Sequence, residues 1–582
     1  MSKENNSTES FAKSLYLGLV KEELIFPYPS VNSDESETIK MVAETISKFM
    51  QDKEKLYREF DHKGSQTEEY INQIKELGLF GIIIPEEFGG LGLSNTAYSR
   101  LVQELSRFDA STSLLIGAHT SIGMKGLTLF GTDQQKAKYL PKLATGETIA
   151  AFCLTEAGSG SDAASIKTKA EKQADGSWIL NGEKIWITNG PIADFFTVFA
   201  KTDSPEGQIT GFIVERAFGG VTHGHKEDKM GIRASATSTI SFDNVRVPAE
   251  NVLGEVGHGF KIAMSILNNG RTGLGGGCVG AMKQVIKHSV KQSKDRKQFK
   301  KSICEFELIK EKISQMSVET YAAESVVNIV SRLIDSGHQD YSVEAAMSKI
   351  IATEALWRVS YDALQIAGGN GFMREYPYER VVRDCRINLI FEGTNEILRM
   401  YVALSALKDV GTYLQEIKKG ASEIFNDPIK GFGLLSDYAS KKVTQITSIG
   451  LGQIKSINPD DKELIELSLI LETYSAQLAK ASEAALTKHR KGIVDQQLIL
   501  KRLADISMDL FTGFCVISRT AKLTSDNNPN ADLARNLTKQ FIHQAKRRIN
   551  QNLRRLEKNE DQLLNETATK LVELEEYPFD TI

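Results

Sequence analysis

The stretch R-I-N-L-I-F-E-G-T-N-E-I-L-R, from Arg386 to Arg399, sets a single carboxylate, Glu392, between an apolar run and a helix start. Gly393 gives the backbone freedom to turn. Thr394 or Asn395 can cap a helix whose apolar residues Ile397, Leu398 and Val402 recur at helical spacing. Two readings are open. Buried there, Glu392 is a general base, its pKa raised by desolvation, with helix amides nearby to hold the negative end of a substrate. Alternatively it complements the helix dipole.

Other stretches bear on that choice. C-L-T-E-A-G-S-G-S-D, Cys153 to Asp162, combines small residues that let a ligand approach the backbone with hydroxyls and consecutive N–H groups suited to phosphate or ring heteroatoms. W-I-T-N-G, Trp186 to Gly190, offers an indole to stack on a flat ring and a hydroxyl beside it. Q-I-A-G-G-N-G-F, Gln365 to Phe372, reads as a helix ending in a glycine cluster, suited to a diphosphate or nucleotide. Each alone also fits a tight turn with an ordinary aromatic beside it.

These residues need elements to position them. Helical periodicity runs from about Ser36 to Leu79 and from Thr96 through Leu143, broken by G-I-I-I-P-E-E-F-G-G-L-G-L at Gly81. From Ala150 to about Gly257 the period shortens, with β-branched and aromatic runs between glycine turns, which predicts a β domain. Long helical segments return from Gly259 and predict a bundle. Further helices are expected at Lys462 to Lys491, Leu498 to Leu523 and Leu533 to Glu575. A contiguous β block between helical blocks argues against a doubly wound fold, and neither GxGxxG nor GxxxxGK[ST] appears in a supporting context.

At 582 residues several domains are expected. A net charge of -4, with 41% hydrophobic and 25% charged residues, gives no global bias towards nucleic acid. The basic run Lys546, Arg547, Arg548, Arg554 and Arg555 reads first as a solvated helix face and second as a contact for an anionic membrane; no aromatics interleave with it for nucleic acid. Cys153, Cys278, Cys304, Cys385 and Cys515 are scattered and expected to be free thiols. No metal site is expected. His119 reads as a core or pocket-wall histidine, and His223 and His225 as a surface loop. With no membrane-spanning run and acidic residues Glu4 and Glu9 near the N-terminus, the expected location is cytoplasmic, with peripheral membrane contact in reserve.

Taken together, the Gly/Ser loop, W-I-T, the Gln-Gly cluster and F-E-G-T-N-E resemble the acyl-CoA dehydrogenase family from Phe26 to at least Leu404. The resemblance implies an α+β multidomain fold: an arm (1–35), a helical N-terminal domain (36–149), a β-barrel-like middle domain (150–257), a helical-bundle domain (258–410) and an additional α-helical C-terminal domain (411–582). It implies FAD between the middle and bundle domains, with an acyl-CoA thioester against the flavin. Glu392 is the implied base. Some family members carry their base just before the arginine of L-N-N-G-R-T-G, where this chain has Gly270.

The resemblance assigns flavin contacts to Phe152, Leu154, Thr155, Gly160, Ser161, Trp186 and Thr188, and to Thr394 and Glu396 after the base. Arg296 and Phe299 in D-R-K-Q-F, with Gln365, Gly368 and Gly369, resemble segments that reach a neighbouring subunit's FAD, which implies a homo-oligomer, a dimer. Ser161, Asn268, Arg271 and Gly393 are the implied substrate contacts. Lys300 stands where the family usually has Gly, and Glu396 where Gln or Asp is common.

K-H-R-K-G-I-V-D-Q-Q-L-I-L-K-R-L-A-D, Lys488 to Asp505, resembles the very-long-chain branch, which implies long-chain acyl-CoA as substrate, electron-transfer flavoprotein as acceptor, and membrane association through Gly431 to Leu435 and the basic helix. The rival readings are an oxygen-using acyl-CoA oxidase and an assembly protein that retains the fold.

Overall fold

The computed structural model describes residues 10–31, 33–202, 208–423 and 453–580. The chain forms two compact units, one from Tyr28 to Leu398, the other joining residues 10–27 to those from Arg399 onward.

The first unit opens with helices. Ser33–Met50 buries Ile39, Ala43, Ile46 and Met50, spaced to make one apolar stripe, against a core that includes Leu101 and Leu105 of helix Asn95–Ser106. The middle region is an eight-stranded mixed sheet: β1 (Ala150–Cys153), β2 (Lys169–Lys172), β3 (Trp178–Thr188), β4 (Phe195–Thr202), β5 (Ile209–Glu215), β6 (Val221–Lys226), β7 (Thr237–Val247) and β8 (Val252–Leu253). Its order is β6-β7-β3-β2-β4-β5-β8, and β1 and β2 both run parallel to β4. Strand β4 explains why the sheet sits in the middle of the unit. Its sequence F-F-T-V-F-A-K-T is apolar on both faces. Phe195 and Phe199 join a core with Tyr139, Leu140 and Ile266 from helices, whereas Phe196, Val198 and Ala200 join Trp178, Ile240 and Val245 within the sheet domain. Each buried Phe contributes roughly 1.5–3 kcal/mol.

The bundle follows, with helices Gly259–Asp295, Glu307–Asp335, Ser342–Ala367 and Tyr378–Cys385. The glycines of the first permit a close crossing with Asn95–Ser106. A Cβ at Gly276 would stand 2.6 Å from the Ser99 carbonyl oxygen, and one at Gly280 2.0 Å from that of Gln103.

In the second unit, Phe11 packs on Phe511 and Phe514 at 5.7 Å between ring centroids, Tyr16 hydrogen-bonds Ser507 (3.1 Å), and Ser518 donates to the Ile25 carbonyl (2.6 Å). Residues 10–27 of the segment expected as an arm (1–35) are therefore part of this helical body, whose long helices are Lys462–His489, Gln497–Ser525 and Ala531–Glu557. Lys546, Arg547, Arg548, Arg554 and Arg555 lie on the exposed face of the last, opposite Phe541, Ile542 and Ile549, and Arg548 pairs with Asp509 (2.6 Å). Gly431 to Leu435 lie outside the described residues. Among those described, no helix is long and apolar enough to cross a membrane.

Candidate active site

Glu392 follows helix Tyr378–Cys385 and the 3-10 turn Arg386–Leu389. It adopts φ 55° and Gly393 φ 93°, so two consecutive left-handed residues reverse the chain. For glutamate that conformation costs roughly 1–2 kcal/mol, and the surroundings hold it. Lys349 donates to the Gly393 carbonyl (2.9 Å) and to Asn395 Oδ1 (2.7 Å), and Arg271 Nη2 donates to the Glu392 carbonyl (3.3 Å). Asn395 donates in turn to Thr353 (3.1 Å) and Glu354 (3.3 Å). Thr394, not Asn395, caps the following helix, its hydroxyl accepting from Ile397 N at 3.3 Å.

Both cations thus hydrogen-bond main-chain carbonyls, and the Glu392 carboxyl is left differently placed. Its Oε2 is buried without a hydrogen-bond partner. Burial pushes the carboxyl above its usual pKa, with the charges of Arg271 and Lys349 opposing. Burial likewise pushes Lys349 down to about 8, against the pull of Glu392. Asn268 accepts from Arg271 Nη1 at 2.5 Å. A π-helical turn, Ala118–Gly123, closes another side: Thr120 hydrogen-bonds Tyr98 (2.7 Å), and a Cβ at Gly270 would press to 3.0 Å from Ile122 Cγ2. Glu396 is exposed in the first turn of helix Asn395–Glu423, so the dipole reading considered for Glu392 suits Glu396.

The Gly/Ser loop hangs from a buried ion pair. Lys184 of β3, fully buried, meets Glu156 at 2.8 Å and donates to the Leu154 carbonyl (3.0 Å). Glu156 also accepts from Lys167 N (2.5 Å), Thr168 N (3.0 Å) and the Thr168 hydroxyl (2.6 Å). Burial alone would raise the Glu156 carboxyl, but these donors hold it below its usual pKa. The Thr155 carbonyl accepts from Ile185 N (2.9 Å), tying loop to strand. Just beyond, the β3–β7 register slips between Lys184 and Ile187, a bulge in which Trp186 takes φ 58° and turns its indole outward, 64% exposed, with Thr188 two residues on. Phe152 packs on Phe199 (5.3 Å), Leu154 is buried, and Gly160 and Ser161 are exposed.

The remaining predicted residues lie in two exposed segments whose backbone hydrogen bonds are local. Phe299 and Lys300, φ 50° and 67°, form the two-residue turn of a hairpin between Lys297–Gln298 and Lys301–Ser302, next to Arg296 at the end of its helix. Lys300 therefore adopts the conformation glycine favours. Phe299 is 89% exposed. Gln365, Gly368 and Gly369 are exposed at the end of helix Ser342–Ala367. Cβ atoms added at Gly158, Gly160, Gly368 and Gly369 would meet nothing within 4 Å, so packing within the chain does not require these glycines. Open glycines and an outward indole fit a flat, phosphate-bearing group supplied from outside the chain.

Lys349, Lys184 and Tyr98 support these segments without having been singled out in the sequence, and Glu156, though inside the Gly/Ser stretch, was given no role there. The signal for the first was a lone lysine in the apolar run A-A-M-S-K-I-I-A. His119 is a core histidine: Nδ1 accepts from Ala150 N (3.0 Å), Nε2 donates to the Leu143 carbonyl (3.1 Å), and burial pushes its pKa down to about 3.

A helical domain, a sheet domain and a bundle in this order, with a carboxyl oxygen buried without a partner at Glu392 and open glycine loops at Gly158–Gly160 and Gly368–Gly369, are the architecture of an acyl-CoA dehydrogenase. Residues 36–147, 151–245 and 257–407 match the models for the N-terminal, middle and C-terminal domains of that family. Bovine (Bos taurus) mitochondrial very long-chain specific acyl-CoA dehydrogenase is 44% identical over 567 residues, covering 96% of this chain and 86% of that protein. The chain belongs to the acyl-CoA dehydrogenase family. Residues 462–577 match the ACAD9/ACADV C-terminal domain, which sets it in the very-long-chain branch. A probable acyl-CoA dehydrogenase of Bacillus subtilis is 37% identical, covering 87% of this chain and 84% of that one. Among solved structures, the FAD complex of an acyl-CoA dehydrogenase from Bacillus anthracis matches with a TM-score of 0.80 at 32% identity, covering 97% of this chain and 96% of that one. Butyryl-CoA dehydrogenase of Megasphaera elsdenii matches with 0.62 at 38% identity, over 65% of this chain and 98% of its own.

Proposed function

We propose that this protein is a FAD-dependent acyl-CoA dehydrogenase that oxidises long-chain acyl-CoA to trans-2-enoyl-CoA, with Glu392 as the base. The observation that carries this is the buried, unpartnered Oε2 of Glu392, held beside two cations that hydrogen-bond backbone carbonyls. Desolvation raises the affinity of that oxygen for a proton, so it can take one from the carbon α to a thioester. Bound FAD supplies the acceptor for the hydride that leaves the β carbon. Arg271 and Lys349 keep the Glu392–Gly393 turn in its left-handed conformation and thereby aim the carboxylate. Trp186, Thr188 and the Gly/Ser loop, with Phe152, Leu154, Thr155, Gly160 and Ser161, offer the surface that orients the flavin. Thr394 and Glu396 flank it. Asn268, Ser161 and Gly393 contact the substrate.

The exposed Arg296, Phe299, Gln365, Gly368 and Gly369 suit contact with the FAD of a second copy, hence a homodimer. Electron-transfer flavoprotein is the acceptor. The exposed basic face at Lys546 to Arg555 supports peripheral contact of a cytoplasmic protein with an anionic membrane. Anaerobic palmitoyl-CoA bleaches the yellow wild-type protein, and the same protein with Glu392→Gln stays yellow; a wild type that binds FAD but is bleached by no acyl-CoA overturns the enzymatic reading.

A further inference from the structure

The loop that carries Glu392 is held from its far side by Lys349 and Arg271; its near side leads back to helix Tyr378–Cys385, and that helix is anchored unusually. Asp384, 94% buried by its 6% exposure, accepts from Ile232 N at 2.5 Å. Ile232 has φ 46°, which a β-branched side chain adopts only when the surroundings impose it. The preceding Gly231 lies so close to the helix that a Cβ there would stand 2.3 Å from both C and O of Arg383. Arg383 donates to the Met230 carbonyl (3.1 Å) and pairs with Asp61 (2.8 Å) and Glu379 (2.6 Å), while Arg380 pairs with Glu54 (3.0 Å). Beyond Cys385 the chain runs through the Arg386–Leu389 turn, and Ile390 N and Phe391 N both donate to the Ile387 carbonyl, at 2.8 and 3.1 Å. Only seven residues, Cys385 to Phe391, separate Asp384 from Glu392, and the Ile387 carbonyl ties the last two of them back to the turn.

From this geometry we infer that Asp384 is a positioning residue for the base: its hydrogen bond to Ile232 latches the β6–β7 loop to the helix and fixes where Glu392 stands. This inference rests on Glu392 being the base. The groups facing Asp384 are Arg380, Asp109 and Asp61, with Arg383, Glu54 and, across the loop, Arg233 and Asp228 close by. Burial pushes the Asp384 carboxyl up to about 7, Arg380 and Ile232 N–H opposing and Asp109 and Asp61 adding. An asparagine at that position keeps a side-chain oxygen that can accept from Ile232 N.

The test compares Asp384→Asn, which keeps the acceptor, with Asp384→Ala, which removes it. Asp384→Ala bleaches with saturating acyl-CoA about tenfold or more slowly at unchanged KM, and amide exchange at Ile390 and Phe391 accelerates. Asp384→Asn stays within about threefold of wild type on both measures. Gly231→Ala, which wedges the loop off the helix, reproduces the slow pattern even if Asp384→Ala folds poorly. The inference is overturned if Asp384→Ala or Gly231→Ala keeps the wild-type rate and exchange, or if Asp384→Asn loses as much as Asp384→Ala. A wild type that no acyl-CoA bleaches sinks the base assignment instead, while the exchange measurement still reads the latch.

Discussion

Glu392 and Glu156 are two carboxylates taken out of water within the same unit of the chain, and their surroundings drive them in opposite directions. Glu156 meets an ammonium, a hydroxyl and two main-chain N–H groups, so its charge is held and its loop is fixed. Glu392 has cations nearby, but they bond to carbonyls, and its Oε2 has no donor. The saturated carboxylate builds the scaffold. The unsaturated one has a free oxygen, which is what the proposed base needs, and the backbone around it carries the strain.

The sharpest break of this comparison is to swap functions by substitution. Glu392→Gln removes the proton acceptor with almost no change of shape, and the anaerobic bleaching rate should fall by about 10²–10⁴-fold with flavin content unchanged. Glu156→Gln should leave the bleaching rate per bound flavin within about threefold and show itself in stability. Equal losses of rate in the two variants would end the distinction.

Next in size is the scaffold pair. Lys184→Met leaves Glu156 with its hydrogen bonds but no counter-charge, so urea unfolding should show a loss of about 3 kcal/mol. The double variant Lys184→Met with Glu156→Gln should recover part of it, because no charge is then stranded and the amide oxygen still accepts from the loop's N–H groups. If the double variant is no better than the single, the pair is not what holds the Gly/Ser loop.

How much of this was legible in the sequence depends on what each residue's role required. The helix, sheet, helix order was legible because period and composition change at Ala150 and again at Gly259. The glycine-rich loops and Glu392 were legible only together: each alone also fits a tight turn or a carboxylate on a helix dipole, and it was their joint order and spacing, resembling one family, that gave them roles. The outward turn of Trp186 was not, since it comes from a register slip against β7 that only pairing defines. Nor was Lys349, whose partners Gly393 and Asn395 lie more than forty residues away and are joined to it only by the bundle. Likewise, Phe11 read as part of a terminal arm because its packing on Phe511 and Phe514 links opposite ends of the sequence.

A smaller effect tests the electrostatics of the base directly. Glu392 must be deprotonated to act, so the bleaching rate should fall tenfold per pH unit below its pKa, with the midpoint above the ordinary glutamate value of about 4.3. Removing the nearby cation by Lys349→Met should move that acid limb to higher pH, since Lys349 favours the carboxylate. An acid limb at the ordinary value, unmoved by the substitution, would mean that burial does not tune this group.

The smallest effect is in stability, and its sign separates the two glutamates. The folded pKa of Glu392 is raised, so whatever stability this group contributes is present below its unfolded pKa and is lost as pH rises through the folded one. Glu156 is depressed; its contribution is present above the unfolded pKa and lost as pH falls through the folded one. Glu392→Gln should therefore stabilise the protein at pH 8, with the gain smaller at pH 4, where more of the wild-type carboxyl has taken up its proton. Glu156→Gln should destabilise at pH 8, by less as the pH falls. Urea midpoints at the two pH values read both slopes. A Glu392→Gln protein less stable than wild type at pH 8 would mean that the charge of Glu392 is favourably held in the fold, and that the base is as well accommodated as the scaffold carboxylate it is contrasted with.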